Sequence, residues 1–130
     1  MFRNREIWGF ESDLLNETRD AQDGSHFKFI PPVAVKDAIL EALRLAVTAS
    51  VSTFDIPEFT MILGASGISG HRIALRNNFG NAFTGKIFVS EISCEAQYED
   101  GFRVELLFNS FMTRLYQEAG ASPDERSLAL

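Results

Sequence analysis

The sequence predicts an α+β domain. About four mainly antiparallel strands, a meander with a hairpin over 91–109, are packed by a helix over 33–50 and a C-terminal helix over 110–119. Three observations predict it. Residues 33–50 place apolar side chains at helical spacing, residues 91–98 and 103–109 alternate with period two on either side of Gly101, and prolines and glycines punctuate the intervals.

Length sets the frame. With 130 residues, the chain is expected to form one domain over 1–120, followed by a flexible tail over 121–130, "ASPDERSLAL". The apolar share of 45% and the charged share of 23% are those of a globular protein. Twelve phenylalanines against one tryptophan and two tyrosines point to a core of rings that need no hydrogen-bond partner.

The elements follow in order. Ser12 can cap a short helix through Leu14 and Leu15, ending near "QDGS". "HFKFI" at 26–30 alternates like a short strand or extended arm. The prolines at 31 and 32 then open a helix, because proline's fixed φ suits a first turn. Along 33–50, Lys36, Asp37, Glu41, Arg44 and Thr48 gather on one side at 100° per residue. Val35, Ile39, Ala42, Leu43, Ala46 and Ser50 take the other. Alanines at 38, 42, 46 and 49 form a smooth ridge. Pro57 marks the turn into a strand from Glu58 to Leu63.

The hairpin sets the expected architecture. Ile92, Cys94, Ala96 and Tyr98 face one way, as do Val104, Leu106 and Phe108. A type I turn over "YEDG", with Gly101 left-handed, pairs Tyr98 with Phe102, Ala96 with Val104, Cys94 with Leu106 and Ile92 with Phe108. A two-residue turn would set Gln97 against Val104 and spoil the pattern. "GKIFVS" at 85–90 has the opposite phase, which implies burial on both faces or a bulge before the hairpin. Ser110 would cap the closing helix, whose apolar face is Phe111, Met112, Leu115, Tyr116 and Ala119.

"MILGASGISGH", at 61–71, carries the strongest functional suggestion. Gly64, Gly67 and Gly70 repeat at intervals of three, with Ser66 among them and His71, Arg72 and Arg76 behind. The stretch 61–91 resembles the opening strand-helix-strand of nicotinamide-dinucleotide-binding domains of the short-chain dehydrogenase type. A comparable glycine turn opens many S-adenosylmethionine-dependent methyltransferases. The resemblance implies a small Rossmann-like α/β domain, with phosphate held at the glycines and Glu91 at the ribose. It covers about thirty residues and leaves too little chain for the further strand-helix units. The methyltransferase version also wants an acidic residue where Ile62 stands.

The meander is the preferred alternative. Strand 58–63 turns through "GASGISG", and "HRIALRN" returns with Ile73 and Leu75 inward and Arg72, Ala74 and Arg76 outward. Gly64, Ser66, Gly67, Gly70, His71, Arg72 and Arg76 would still concentrate positive charge and backbone N–H groups in an anion pocket. Strand at 92–98 favours the meander; helix there favours the dinucleotide reading.

Charge and composition exclude more than they suggest. A formal net charge of −6, with no basic run, opposes nucleic-acid binding. Cys94 stands alone, and His26 and His71 lie far apart, so neither an intrachain disulfide nor a dedicated metal site is expected. No apolar run suggests a signal peptide or membrane span, which places the expected protein in the cytoplasm. H-E-x-x-H, CxxC and G-x-S-x-G are absent, and no catalytic group or cofactor is assigned. The expected function is a small cytoplasmic interaction module of the adaptor, inhibitor or chaperone type. Its partner is another protein or, as a homo-oligomer, itself. The alternative is a small nucleotide- or dinucleotide-binding domain, with or without catalysis.

Overall fold

A computed structural model describes residues 18–20, 26–53, 58–75, 83–99 and 103–121. The elements run β1 (Thr18–Asp20), β2 (His26–Ile30), α1 (Pro32–Thr48), β3 (Phe59–Ser66), β4 (Arg72–Ile73), β5 (Glu91–Tyr98) and α2 (Val104–Glu118). The fold is α+β. The expected helix around Leu14, the turn at 100–102 and the tail at 122–130 lie outside the described residues.

α1 begins as its prolines predict. Pro31 is extended, with φ −82° and ψ 106°, Pro32 starts the helix, and the Val35 amide donates to the Pro31 carbonyl at 3.0 Å. Lys36, Asp37, Glu41, Arg44 and Thr48 are exposed, whereas Val35, Leu40 and Leu43 are buried. Ala42, expected inward, is exposed, and the buried face is centred closer to Leu40 and Leu43. After Thr48 the helix widens into a π-helical turn at Ala49–Thr53, and Ser50 is buried there.

β3 and β5 form an antiparallel ribbon. Phe59 faces Tyr98, Met61 faces Ala96, Leu63 faces Cys94 and Ala65 faces Ile92. These pairs line the inner side. The outer side carries Thr60 with Gln97, Ile62 with Glu95, Gly64 with Ser93 and Ser66 with Glu91. Gln97 Nε2 donates to Thr60 Oγ1 at 2.8 Å, and the Phe59 and Tyr98 rings stack with centroids 4.7 Å apart.

β5 therefore pairs with β3 and not with a strand at 102–109, which corrects the expected hairpin 91–109. Residues from Val104 onward are helical. Val104, Leu107, Phe108, Phe111, Met112, Leu115 and Tyr116 are all buried, at spacings of three and four. Over so short a span as 104–108, helical and strand periods both account for Val104 and Phe108. Leu106 and Leu107 separate them: Leu106 is 58% exposed and Leu107 only 2%. The closing helix thus starts six residues before the expected 110–119. Ser110 sits inside it, donating from Oγ to the Leu106 carbonyl at 3.0 Å instead of capping. The expected apolar face of Phe111, Met112, Leu115, Tyr116 and Ala119 is buried throughout.

β2 pairs antiparallel with β1 and parallel with β4, setting Phe29 beside Arg72 and Ile30 beside Ile73. The strands thus form separate sets, β1-β2-β4 and β3-β5, in place of one four-stranded antiparallel sheet. α2 packs over β5 and β3 and against α1. One core joins them, from Ile30, Val35 and Leu43 through Met61, Ile68, Ile73, Ile87 and Ile92 to Phe108 and Tyr116.

Candidate functional site

The glycine stretch is neither a hairpin turn nor the entrance to a helix. Phe59 faces Tyr98 at one end of the ribbon, and Ala74 bridges Phe83 antiparallel fifteen residues further on, in the same register. Both arms therefore advance equally, and the chain does not reverse at "GASGISG". It bends. Gly67 and Gly70 have φ of +69° and +81°, conformations open to glycine without a Cβ penalty. Past the bend, residues 72–73 keep the arm at 83–84 along one edge and gain β2 along the other. This corrects the meander expected there.

Hydrogen bonds hold the bend from within. Ile68 N–H donates to the Ser90 carbonyl at 3.3 Å, Gly70 N–H to Ile87 at 2.6 Å and His71 N–H to Ile68 at 3.1 Å. In return Ile87 N–H donates to the His71 carbonyl at 2.9 Å. Beyond the bend, Thr84 N–H donates to the Ile73 carbonyl at 3.0 Å, and Thr84 Oγ1 accepts from Ile73 N–H at 2.9 Å. Ala74 N–H reaches the Ile30 carbonyl at 3.1 Å.

Each predicted site residue now has a place. Gly64 lies in β3, where a Cβ would come within 3.1 Å of the Ile92 carbonyl oxygen. Ser66, Gly67 and Gly70 are exposed. His71 is buried beneath the bend, and Arg72 is half-buried, its Nη1 donating to the Thr84 carbonyl at 3.2 Å. Arg76 lies outside the described residues. Ile73, Ala74 and Leu75 are all buried, so the expected inward–outward alternation does not hold there. The segment lies inside the sheet, with β2 on one edge and residues 83–84 on the other.

The dinucleotide resemblance needs a second strand parallel to the first. Instead, β5 starts at Glu91 and runs antiparallel to β3, with Glu91 opposite Ser66. "GKIFVS" resolves similarly. Ile87 is fully buried, Phe88 is 86% exposed, and bends at Val89 and Ser90 absorb the change of phase before β5.

Sequence reasoning missed the outer side of this ribbon. Ile62 stands 69% exposed on β3, flanked by Thr60, Gly64 and Ser66, and Glu91 and Glu95 are exposed on β5. The signal was present in "FTMILGAS", where period two leaves Ile62 on the side opposite Met61 and Leu63. Among the described residues, no group of three or more His, Cys, Asp and Glu could hold a metal ion, and no helix is long and apolar enough to cross a membrane. Comparison with protein-family models, curated proteins and solved structures found no match for this chain.

Proposed function

We propose that the protein is a small cytoplasmic interaction module without catalysis, acting through protein–protein contact. The observation that carries this reading is the outer side of the ribbon. Ile62 and Phe88 project from arms whose inner residues pack in the core, leaving large apolar side chains in water. Exposed apolar groups on a hydrogen-bonded scaffold suit a partner surface, because little ordering remains to oppose association.

The bend supports the same reading over nucleotide binding. The amides of Ile68 and Gly70 already donate to the Ser90 and Ile87 carbonyls, that of His71 donates to Ile68 within the bend, and Arg72 donates to Thr84. A phosphate cradle uses such donors for its ligand. Calorimetric titration with NAD, NADP, S-adenosylmethionine, ATP and inorganic phosphate is expected to be flat. Saturable binding that Gly67→Val abolishes and Ser69→Ala leaves intact would reverse the reading in favour of an anion pocket built on Gly64, Ser66, Gly67, Gly70, His71, Arg72 and Arg76.

A further inference from the structure

We propose that the open edge of β3 pairs antiparallel with β3 of a second copy of this chain, fusing two ribbons into one four-stranded sheet. The inference rests on the interaction reading and names its surface and partner. Among the described residues β3 has one strand neighbour, β5, and its other edge is unpaired. An unpaired edge is a row of backbone donors and acceptors that templates another strand.

The two edges of the ribbon differ in their protection. Natural edges are guarded by charge, proline or bulges. β5 carries Glu91 and Glu95 exposed on its outer side, so two copies of β5 would bring carboxylates together. β3, "FTMILGAS", is eight residues long with no charged residue and no proline. Joining β3 to β5 of another copy would be head-to-tail and leave edges free for further addition, whereas β3 with β3 closes around a two-fold axis.

Parity keeps outer residues opposite outer ones, and the exposed Ile62 marks the centre taken here. Antiparallel pairing centred on Ile62 sets Ile62 beside the partner's Ile62 on the outer side and Thr60 beside the partner's Gly64. On the inner side it sets Met61 beside the partner's Leu63 and Phe59 beside the partner's Ala65. Phe59, Leu63 and Ala65 are only half-buried within one chain, and α2 lies chiefly over β5. A second copy covers what α2 leaves open.

Sedimentation of the full chain at high micromolar concentration tests this, with two variants. Ile62→Lys sets two ammonium groups face to face in the pair, while inside one chain the new lysine faces Glu95 and the fold is kept. Ile62→Cys, in a Cys94→Ala background under mild oxidation, places two thiols across the two-fold axis. Leu45→Cys, 63% exposed on α1, is the control. The expected result is a dimer that Ile62→Lys dissociates without changing the circular dichroism, and a covalent dimer at position 62 but not at 45. A wild-type monomer overturns the pairing and leaves a different protein as partner for the interaction reading. A dimer that survives Ile62→Lys and does not cross-link at 62 also overturns it, and places the self-contact elsewhere.

Discussion

Gly70 donates its amide to the carbonyl of Ile87 at 2.6 Å, and the bend between β3 and β4 turns on that bond. It ties one arm of the ribbon to the other where the backbone leaves strand geometry. Gly70 can make it because its φ is +81°, a region that a Cβ disfavours.

Substitution at the bend is therefore expected to cost backbone strain and little else. A Cβ on Gly67 or Gly70 would meet nothing within 4 Å. Gly67→Ala and Gly70→Ala should each destabilise by about 1 kcal/mol or somewhat more, and asparagine, which tolerates left-handed backbone, by less. Gly64 behaves differently, since its Cβ would press on the Ile92 carbonyl oxygen, and Gly64→Val should loosen the β3–β5 ladder itself. Urea denaturation of these variants checks the order. Equal stability of Gly70→Ala and wild type would contradict the assigned φ.

The start of α2 yields a paired contrast. Leu107 is 2% exposed and Leu106 is 58% exposed, one residue apart. An uncompensated buried carboxylate costs several kcal/mol, comparable with the whole stability of a small domain. Leu107→Asp should unfold the protein, and Leu106→Asp should melt close to wild type. The opposite ranking would restore a strand at 102–109.

How much of this was legible follows from the same residues. Helix 33–50 could be read because its polar face is continuous and its prolines mark the start. The inward phase of Ile92, Cys94, Ala96 and Tyr98 was also readable, and it is kept in the ribbon. The identity of the strand across from them was not. Period two says which side chains share a face, and both Met61–Leu63–Ala65 and Val104–Leu106–Phe108 offer a matching phase. Only the tertiary contacts of Leu107 and Phe111 assign the second segment to a helix. The glycine stretch failed for a related reason. Composition shows that backbone freedom is needed, but a bend, a turn and a phosphate loop need it alike.

Arg44 and Glu105 join α1 to the first turn of α2 at 2.8 Å. The hydrogen bond from Arg44, more than any other cause, holds the Glu105 carboxyl below its usual pKa. A depressed carboxylate pKa means stability that is present above the unfolded value and lost as pH falls through the folded one. Both partners are substantially exposed, so the effect is small and screened by salt. Glu105→Lys should lower the melting temperature slightly and Glu105→Gln less, with both differences shrinking at high salt. A melting temperature raised by Glu105→Lys would contradict the pairing.

Tyr116 is 1% exposed, and its hydroxyl has no hydrogen-bond partner among the described residues. Burial pushes its pKa up to about 12 from 10.0. The folded state holds the proton more tightly than the unfolded state, so this contribution is complete below pH 10.0 and is lost as pH rises toward about 12. Tyr116→Phe removes an unpaired polar atom from the core and should leave stability at neutral pH unchanged or higher. The ultraviolet difference between wild type and Tyr116→Phe should show the phenolate forming late, alongside a steeper loss of wild-type stability in strong base. A phenolate appearing near pH 10.0 with the fold intact would place the hydroxyl in water.

Thr84 links the far end of the ribbon to β4 through its side chain. Its Oγ1 accepts from the Ile73 amide and donates to the Gly85 carbonyl, both at 2.9 Å, and the residue is 2% exposed. The Ile73 amide thus depends on a hydroxyl where a regular ladder would offer a carbonyl. Thr84→Val keeps the shape and removes both bonds, leaving a buried N–H without an acceptor at a cost of about 1–3 kcal/mol. Thr84→Ser keeps both bonds and gives up one buried methyl, about 0.8 kcal/mol in transfer terms. Total stability separates these two only modestly, so the deciding measurement is native-state hydrogen exchange at Ile73. Thr84→Val should accelerate exchange at that amide far beyond its effect on core amides of α2 such as Phe111, and Thr84→Ser should not. Unchanged protection of Ile73 in Thr84→Val would mean that its amide is held by another acceptor and that the link between ribbon and β4 lies elsewhere.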